Sequence, residues 1–413
     1  MAIKGASRAA SRRADGNSRG TNQLGVRLYN ERLVLSLIRR HGALPKADIA
    51  RRTGLSPQTI SIITNALEAD GLLHRQAPLR GKVGQPLVPY ALNPEGALSF
   101  GLKVGRRSVD LHLINFTGET LHLLTEVYPF PRPDGIRRFA NEGIATLTAR
   151  LTPDQASRLS GLGIAAPYEM WTWHEEIGAP QSEIDAWRSV DIRADLAANH
   201  SFPVYFANDI TAACAAELMF GKGAAYPDFL YVFIGSFIGG GLVLDGHLFP
   251  GRSRNAAALG SMPARKIDRP PGSTPPQLMN VASIYVLERR LRALGRNPDV
   301  LWQAPDTWTD DLGPVLNEWI DEVAEAIAYA VVAAVAVVDV ETVVLDGAFP
   351  PGVRTRIIEQ TRKAIAGVNR QGLSPFELIE GSIGNAARAL GGAALPLLAN
   401  YTQDREVLFK ENV

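Results

Sequence analysis

The spacing of apolar residues between Lys46 and Leu73 predicts two short helices joined by a tight turn. The first helix starts at Ala47 and breaks at Thr53-Gly54, and the second begins where Ser56 can cap it. The apolar residues of the second helix recur at helical spacing and therefore pack inward on one face. These residues are Ile60, Ile63 and Leu67.

The other face of the second helix is small and polar, with side chains suited to base edges and phosphates. Two helices in this arrangement are typical of a helix-turn-helix, in which the second helix enters the major groove of DNA. A helical hairpin inside a protein core has the same local pattern, so the helix pair alone leaves both interpretations open. The side chains predicted to contact DNA from this helix are Ser56, Gln58, Thr59, Ser61 and Asn65.

Two short strands, 74–76 and 87–92, are predicted after the helix pair, and they flank a basic tip rich in glycine. A hairpin in this place turns a helix-turn-helix into a winged helix. The tip has little bulk and a positive charge, which allows it to enter a narrow minor groove. Considered alone, the same segment could be a flexible basic loop. The tip residues assigned to DNA contact are Arg80, Lys82 and Gln85.

From Leu98 onward, apolar runs with strand spacing alternate with runs that have helical spacing. Mixed sheets with flanking helices, and with glycines at strand ends, are typical of an α/β body that holds a small ligand between lobes. The predicted elements are strands 98–105, 108–116 and 119–130, helix 136–150, strands 159–165 and 203–209, helix 210–220, two strands within 229–251, helix 326–338 and strand 342–345.

Charge divides the chain at the same place as the pattern does. Residues 1–92 contain fifteen Lys or Arg and five Asp or Glu, whereas the rest contains twenty-eight and thirty-seven. A basic module on an acidic body is typical of a nucleic-acid-binding protein whose body has another role. For 413 residues, two or three domains are expected. We divide the chain into a disordered basic tail (1–25), a winged helix-turn-helix DNA-binding domain (26–93) and an effector-binding and dimerisation body (94–413).

The single cysteine, Cys214, excludes an internal disulfide and any zinc site built from several cysteines. No apolar stretch reaches the length that spans a bilayer, and segment 326–338 is too short to do so. The N-terminus is positively charged but has no apolar core behind it, so it does not have the pattern of a secretory signal. The sequence therefore predicts a cytoplasmic protein without membrane contact.

Four further segments follow the winged helix in order: GLGIAAP (161–167), PVYFANDITAACAAE (203–217), FIGSFIGGGLVLDGHLFPGRSRNAAALGSMP (233–263) and VVLDGAFP (343–350). With these segments, nearly the whole chain resembles transcriptional regulators of the ROK family (repressors, open reading frames and kinases), related to bacterial xylose and N-acetylglucosamine repressors. The resemblance implies an actin-like, sugar-kinase-type body of two lobes, and a homodimer or tetramer on a palindromic operator in double-stranded DNA. It also implies a sugar-like effector that alters DNA affinity, as in a repressor of sugar uptake or catabolism genes.

The kinases of the same family make an enzyme the main alternative. They open with an Asp-x-Gly-Gly-Thr phosphate loop, and Lys103 here takes the place of the Asp that handles the metal ion. In the second phosphate loop, Phe237 stands where a glycine is usual and would block the approach of the backbone to a phosphate. Asp209 matches the general base of the kinases. One base without a nucleotide site carries out no phosphoryl transfer, so we expect no catalytic residue.

Family members usually bind zinc through a His and a cluster of three Cys, which gives the closed four-ligand site of a structural zinc. In this chain Ser261 stands in the place of the His, and a proline-rich segment replaces the cysteines. We therefore expect no zinc and no other cofactor. The family's sugar contacts from a Glu and the same His are also missing, since Ala258 and Ser261 take their places.

The resemblance makes Asn208 and Asp209 the predicted effector contacts, at the end of a strand and the start of a helix. A carboxylate accepts two hydroxyl donors at once, which suits a sugar. From the residues alone, an Asp in this place could equally cap the helix that follows. Three hypotheses remain: a regulator with a sugar-like effector, a regulator whose body only dimerises, and a sugar kinase with an added DNA-binding domain.

Overall fold

The computed structural model describes residues 23–78, 87–168, 170–172, 174, 178–264, 274–303, 308 and 312–403. Three helices and a small antiparallel sheet in the order β1-β3-β2 form the N-terminal domain. Gly54, with φ of 73°, ends α2, and the hydroxyl of Ser56 caps α3, as the pattern predicts. The elements are α1 (Gln23–His41), β1 (Leu44–Pro45), α2 (Lys46–Thr53), α3 (Pro57–Ala69), β2 (Leu73–Arg75) and β3 (Pro89–Leu92).

The first lobe of the body contains a five-stranded sheet in the order β6-β5-β4-β7-β8. Its first three strands form the predicted antiparallel meander, and β7 and β8 are added in parallel. The elements are β4 (Leu98–Val104), β5 (Ser108–Asn115), β6 (Thr120–Val127), α4 (Pro133–Thr148), α5 (Pro153–Ser157), β7 (Leu159–Ala166), α6 (Gln181–Asp185), α7 (Ile192–Ala197), β8 (Val204–Asn208) and α8 (Asp209–Phe220).

The second lobe contains a five-stranded sheet in the order β11-β10-β9-β12-β13, in which β9, β12 and β13 are parallel. Its core includes the fully buried side chains of Tyr231, Phe233 and Trp319. The elements are β9 (Phe229–Ile234), β10 (Ile238–Leu244), β11 (His247–Leu248), α9 (Ile284–Ala293), α10 (Val300–Gln303), α11 (Gly313–Val338), β12 (Thr342–Gly347), α12 (Pro351–Ala366), β13 (Glu377–Glu380) and α13 (Ala387–Tyr401).

The helices α8 and α13 lie between the two sheets and pack closely on each other. A side chain at Gly391 would overlap the backbone carbonyl of Ala212, and one at Gly163 of β7 would overlap the carbonyl of Gly392. The absence of these side chains allows α13 to lie against both α8 and the first sheet. The predicted winged helix followed by an α/β body of two lobes is confirmed. Within the described residues, no helix is long and apolar enough to cross a membrane.

Candidate functional site

Helix α3 presents a face of exposed side chains. Gln58, Ile62 and Asn65 follow one another at intervals of four and three residues, and all three are exposed, Ile62 to 63%. Thr59 and Ser61 flank this face and are half-buried. An amide can read a base edge and an apolar group can contact the methyl group of thymine. The face therefore suits the major groove of DNA.

Three of the polar residues predicted to contact DNA also have side-chain partners within the domain. The hydroxyls of Ser56 and Thr59 lie 2.8 Å apart, within hydrogen-bond distance. The hydroxyl of Ser56 accepts a hydrogen bond from the backbone N–H of Thr59 at 3.1 Å, and so caps α3. The side-chain oxygen of Asn65 accepts a hydrogen bond from Nζ of Lys46 at 3.0 Å. A lysine is thereby held beside the exposed face, where it can reach a phosphate.

The strands of the wing, β2 and β3, follow α3 in the chain and pair with each other in antiparallel orientation. Arg75 at the end of β2 donates to Glu68 of α3 at 2.8 Å, which joins the wing to α3. Arg80, Lys82 and Gln85 lie outside the described residues, so that their contact with DNA stays a prediction.

A cavity of about 320 Å³, the cleft cavity, lies between the two lobes. The first lobe contributes the junction of β8 and α8, and the second contributes β10 and the segment 255–261. The lining mixes apolar side chains with convergent polar groups, as is usual for small-molecule sites. The polar lining residues are Arg106, Thr172, Asn208, Asp209, Ser236, Asn255, Ser261, Gln277 and Arg388.

Asn208 and Asp209 have different roles at the floor of the cleft cavity. The side-chain oxygen of Asn208 accepts the backbone N–H of Ile210 at 3.0 Å, so Asn208 is the residue that caps α8. Asp209 is only 7% exposed, and its Oδ2 lies 3.5 Å from Nη1 of Arg388. Burial raises the pKa of Asp209, and the charge of Arg388 opposes that shift. Because Asp209 lines the cleft cavity, its carboxyl group remains a candidate partner for ligand hydroxyls.

A second cavity of about 540 Å³ adjoins the cleft cavity and shares Arg106, Ser236 and Arg388 with it. Lys103 lies in this second cavity, with its Nζ 2.5 Å from Oδ2 of Asp110. Burial lowers the pKa of Lys103, and the nearby charge of Arg388 lowers it further. A divalent cation would find the Asp110 carboxylate already paired with Lys103 and the positive charge of Arg388 nearby, which is unfavourable for kinase-type metal binding.

The glycine run after Phe237 forms part of a strand. Gly239, Gly240 and Gly241 belong to β10 and pair with β9, while the turn between the strands is formed by residues 235–237. A side chain at Gly241 would collide with Cys214 of α8. At least one glycine of the run therefore allows β10 to pack on α8. The side chain of Phe237 lines the cleft cavity, with its ring centroid 5.2 Å from that of Tyr285.

Helices α8 and α13 connect the cleft cavity to the DNA-binding domain. Asp209 and Arg388 lie at their first turns, and Phe220 and Tyr401 at their opposite ends. There, the guanidinium of Arg39 from α1 lies 5.9 Å from the ring centroid of Phe220. The cleft and the DNA-binding domain are thus joined by two helices, about 18 and 22 Å long, of which α13 contains Pro396 in its interior.

Arg388 and Ile62 were missed by sequence reasoning. The sequence prediction named only polar residues of α3, whereas Ile62 is apolar; its spacing of four residues from Gln58 and three from Asn65 is the signal that places it on the same face. Arg388 lies 179 residues from Asp209 along the chain, so that no local pattern connects the two residues. Only the packing of α13 on α8 brings them together.

The fold and the cleft define a sugar-kinase-type body that carries a winged helix-turn-helix. Comparison with known proteins agrees: the ROK family pattern matches residues 99–398, and the MarR family pattern matches residues 29–82. The chain belongs to the ROK family, as the sequence resemblance predicts.

Relatives of known name include a xylose repressor from Bacillus subtilis, 23% identical over 58% of this chain and 62% of the repressor. The chain therefore spans less than two thirds of that relative's length. A crystal structure of a ROK family transcriptional regulator, a homolog of the E. coli MLC protein, covers 91% of this chain and 97% of its own, with 20% identity and a TM-score of 0.65. A ROK family glucokinase from Streptomyces griseus, in complex with glucose and AMPPNP, covers 72% and 99%, with 21% identity and a TM-score of 0.54. At these identities, the two structures establish the fold.

Proposed function

We propose that this protein is a sequence-specific DNA-binding transcriptional regulator, acting as a repressor of sugar uptake or catabolism genes in the cytoplasm. A sugar-like effector in the cleft cavity controls its affinity for DNA. The observation that carries this proposal is the pair of helices, α8 and α13, that join the polar cleft to α1 of the DNA-binding domain. The similarity to the Bacillus subtilis xylose repressor supports the same function.

DNA binding is supported by the exposed face of α3 and its basic surroundings. The face offers an amide, a branched apolar side chain and a second amide, all directed away from the domain core. We propose that two chains form a homodimer, and that the two recognition helices bind half-sites of a palindromic operator about 34 Å apart.

Effector binding is supported by the chemistry of the cleft floor. Asp209 can accept hydroxyl donors, and the side-chain nitrogen of Asn208 can donate to a ligand oxygen while its oxygen caps α8. The cavity volume of about 320 Å³ lies within the usual range for small-molecule sites. A small polyhydroxylated molecule fits these groups best.

We propose that the body is not an enzyme. Lys103 stands where the phosphate loop of the kinases has its Asp. Its ammonium group is paired with Asp110, and the charge of Arg388 lies close to it. These cations disfavour the Mg²⁺ that would bridge the phosphates of a nucleotide. In this proposal Asp209 recognises the ligand. It does not act as a general base, because the body binds no nucleotide that could receive or supply a phosphoryl group.

A mobility-shift titration tests the function. The full chain would select its operator from random duplexes, and operator affinity would then be measured with and without candidate sugars. Asp209→Asn should keep the operator affinity within about twofold and abolish the sugar response. Asp321→Asn, at an exposed position on α11, is the matched control and should keep both. Loss of DNA binding together with loss of the dimer in Asp209→Asn would instead support a body that only dimerises.

A further inference from the structure

Arg388 is a buried arginine whose guanidinium is only partly satisfied. It lies in the first turn of α13, is 9% exposed, and lines both the cleft cavity and the second cavity. Its Nη1 lies 3.5 Å from Oδ2 of Asp209, and its guanidinium carbon lies 5.6 Å from the ring centroid of Phe233. Its Nε is buried and finds no hydrogen-bond acceptor among the residues that the structure describes.

This arrangement leaves a permanent positive charge incompletely compensated. A guanidinium keeps its proton at physiological pH, and a buried charge is costly unless it is paired and hydrogen-bonded. The contact with Asp209, at 3.5 Å, is at the limit of hydrogen-bond distance. Burial also favours the uncharged form of Asp209, since it raises the pKa of that carboxyl. The cleft is therefore short of negative charge beside Arg388.

Other cations of the two cavities have close partners of their own. Lys103 lies 2.5 Å from Asp110, and Arg106 lies 2.9 Å from the fully buried Glu288. Each of these two cations has a carboxylate at ordinary ion-pair distance, although Arg106 shares Glu288 with Arg107 and Arg292. An incoming anion would therefore gain most at Arg388, where the two cavities meet.

We propose that the effector carries an anionic group, either a carboxylate or a phosphate, which binds Arg388 while the hydroxyls of the same molecule reach Asn208 and Asp209. This inference rests on the proposed function, because it names the chemical class of ligand for the same cleft. The planar guanidinium can donate to two oxygens of a carboxylate or a phosphate at once. An acidic sugar would thus satisfy both the charge and the Nε of Arg388, whereas a neutral sugar could offer a hydroxyl oxygen to Nε but would leave the charge uncompensated.

Calorimetry on the full chain with matched sugars tests the inference. The probes are D-glucose, D-glucuronate and D-glucose 6-phosphate, and the corresponding set with the galacto configuration. Within at least one set, an acidic member should bind about tenfold or more tightly than the neutral sugar, since a hydrogen bond to a charged group is strong. The carboxylate and phosphate members distinguish the two sources of negative charge.

Variants assign the effect to Arg388. Arg388→Gln should lower the affinity of the acidic sugar to that of the neutral one, and Arg388→Lys should retain part of the preference because it keeps the charge. Arg354→Gln is the matched control: Arg354 also lies in the first turn of a helix, is largely buried, and pairs with Asp346 at 2.9 Å outside both cavities. This control should keep the preference, and thermal melting would verify that each variant is folded.

The outcomes separate the inference from the proposed function. If the neutral sugar binds as tightly as its acid and phosphate in every set, the anionic class is wrong and the sugar-responsive function stands. If the preference persists in a folded Arg388→Gln variant, the assignment to Arg388 is wrong. If no sugar binds while operator binding is intact, both the effector function and this inference fail.

Discussion

The guanidinium carbon of Arg39 lies 4.7 Å from the ring centroid of Phe116, so that a side chain of the DNA-binding domain stacks on a ring of the body. Nη1 of Arg39 also donates to the backbone carbonyl of Phe116 at 2.9 Å. Burial lowers the pKa of Arg39 to about 10. Since Phe116 also contacts Tyr401 at the end of α13, with 4.9 Å between the centroids, Arg39 is placed to respond to movement of that helix.

The first prediction concerns this contact. Arg39→Ala should reduce the coupling between effector and operator by about 1–2 kcal/mol, because the side chain links the helix pair to α1. The measurement is the ratio of operator dissociation constants with and without effector. Arg27→Ala, on the same helix but with an exposed side chain paired only locally with Glu31, is the control and should keep the ratio. A normal ratio in a folded Arg39→Ala variant would show that coupling runs elsewhere.

The recognition face of α3 gives the second prediction. Gln58→Ala should relax base preference by about 1–3 kcal/mol at one operator position, because an amide can make two hydrogen bonds to a base edge. Selection of operators from random duplexes, followed by sequencing, measures the change. Gln76→Ala provides a control, since Gln76 is exposed but lies beyond β2, outside the face. Unchanged selectivity in Gln58→Ala would mean that another face reads the DNA.

The tip of the wing leads to a third prediction. Arg80→Ala or Lys82→Ala should weaken binding to all sequences alike and flatten the salt dependence, because each removes a predicted phosphate contact. Affinity for operator and random duplexes would be titrated over a range of salt concentrations. A variant that lost operator binding alone would place the residue among the base contacts instead.

The fourth prediction concerns pH and Asp209. Burial raises the pKa of its carboxyl above the ordinary value of 3.8, so the folded protein holds this proton when the unfolded chain has lost it. The corresponding stability is present in acid and is lost as the pH rises through the folded pKa. Urea unfolding between about pH 4 and 7 should therefore show wild type losing stability relative to Asp209→Asn as pH rises. Parallel curves for the two proteins would be inconsistent with a raised pKa.

The last prediction concerns cofactors and catalysis. We expect the purified protein to contain no stoichiometric zinc, because Ser261 cannot replace the His ligand of the family site, and the cysteines are missing. We also expect no ATP hydrolysis with any hexose in a coupled assay, given the positive charges beside Lys103. Elemental analysis that found one metal ion per chain would contradict the first expectation.

Much of the fold could be predicted from local sequence. The turn at Gly54 and the cap at Ser56 depend on backbone geometry and one side-chain hydrogen bond, which a short segment determines. Helix α1 was not predicted, because its apolar residues do not all fall on one buried face: Val34, Leu35 and Ile38 are buried, whereas Leu24, Val26 and Leu28 are exposed. Its position depends on packing against α3 and the body.

The candidate site was only partly predictable for the same reason. Asn208 and Asp209 are adjacent in the chain and belong to a recognisable strand–helix junction. Arg388 becomes part of the site through the contact between α8 and α13. At this contact Gly391 has no side chain, so the two helix backbones can pack closely. A contact of this kind depends on two distant segments at once, and one segment alone does not reveal it.

The close packing at Gly391 has a consequence for how such a protein can diversify. Because α8 and α13 touch backbone to backbone near their N-terminal ends, at Ala212 and Gly391, side chains outside this contact can change while the contact between the helices is kept. Substitutions at Asp209 or Arg388 can alter which molecule is recognised, and substitutions on α3 can alter which operator is bound. A few substitutions in the cleft can thus give a regulator a new effector for the same operator, and a few on α3 can give it a new operator for the same effector.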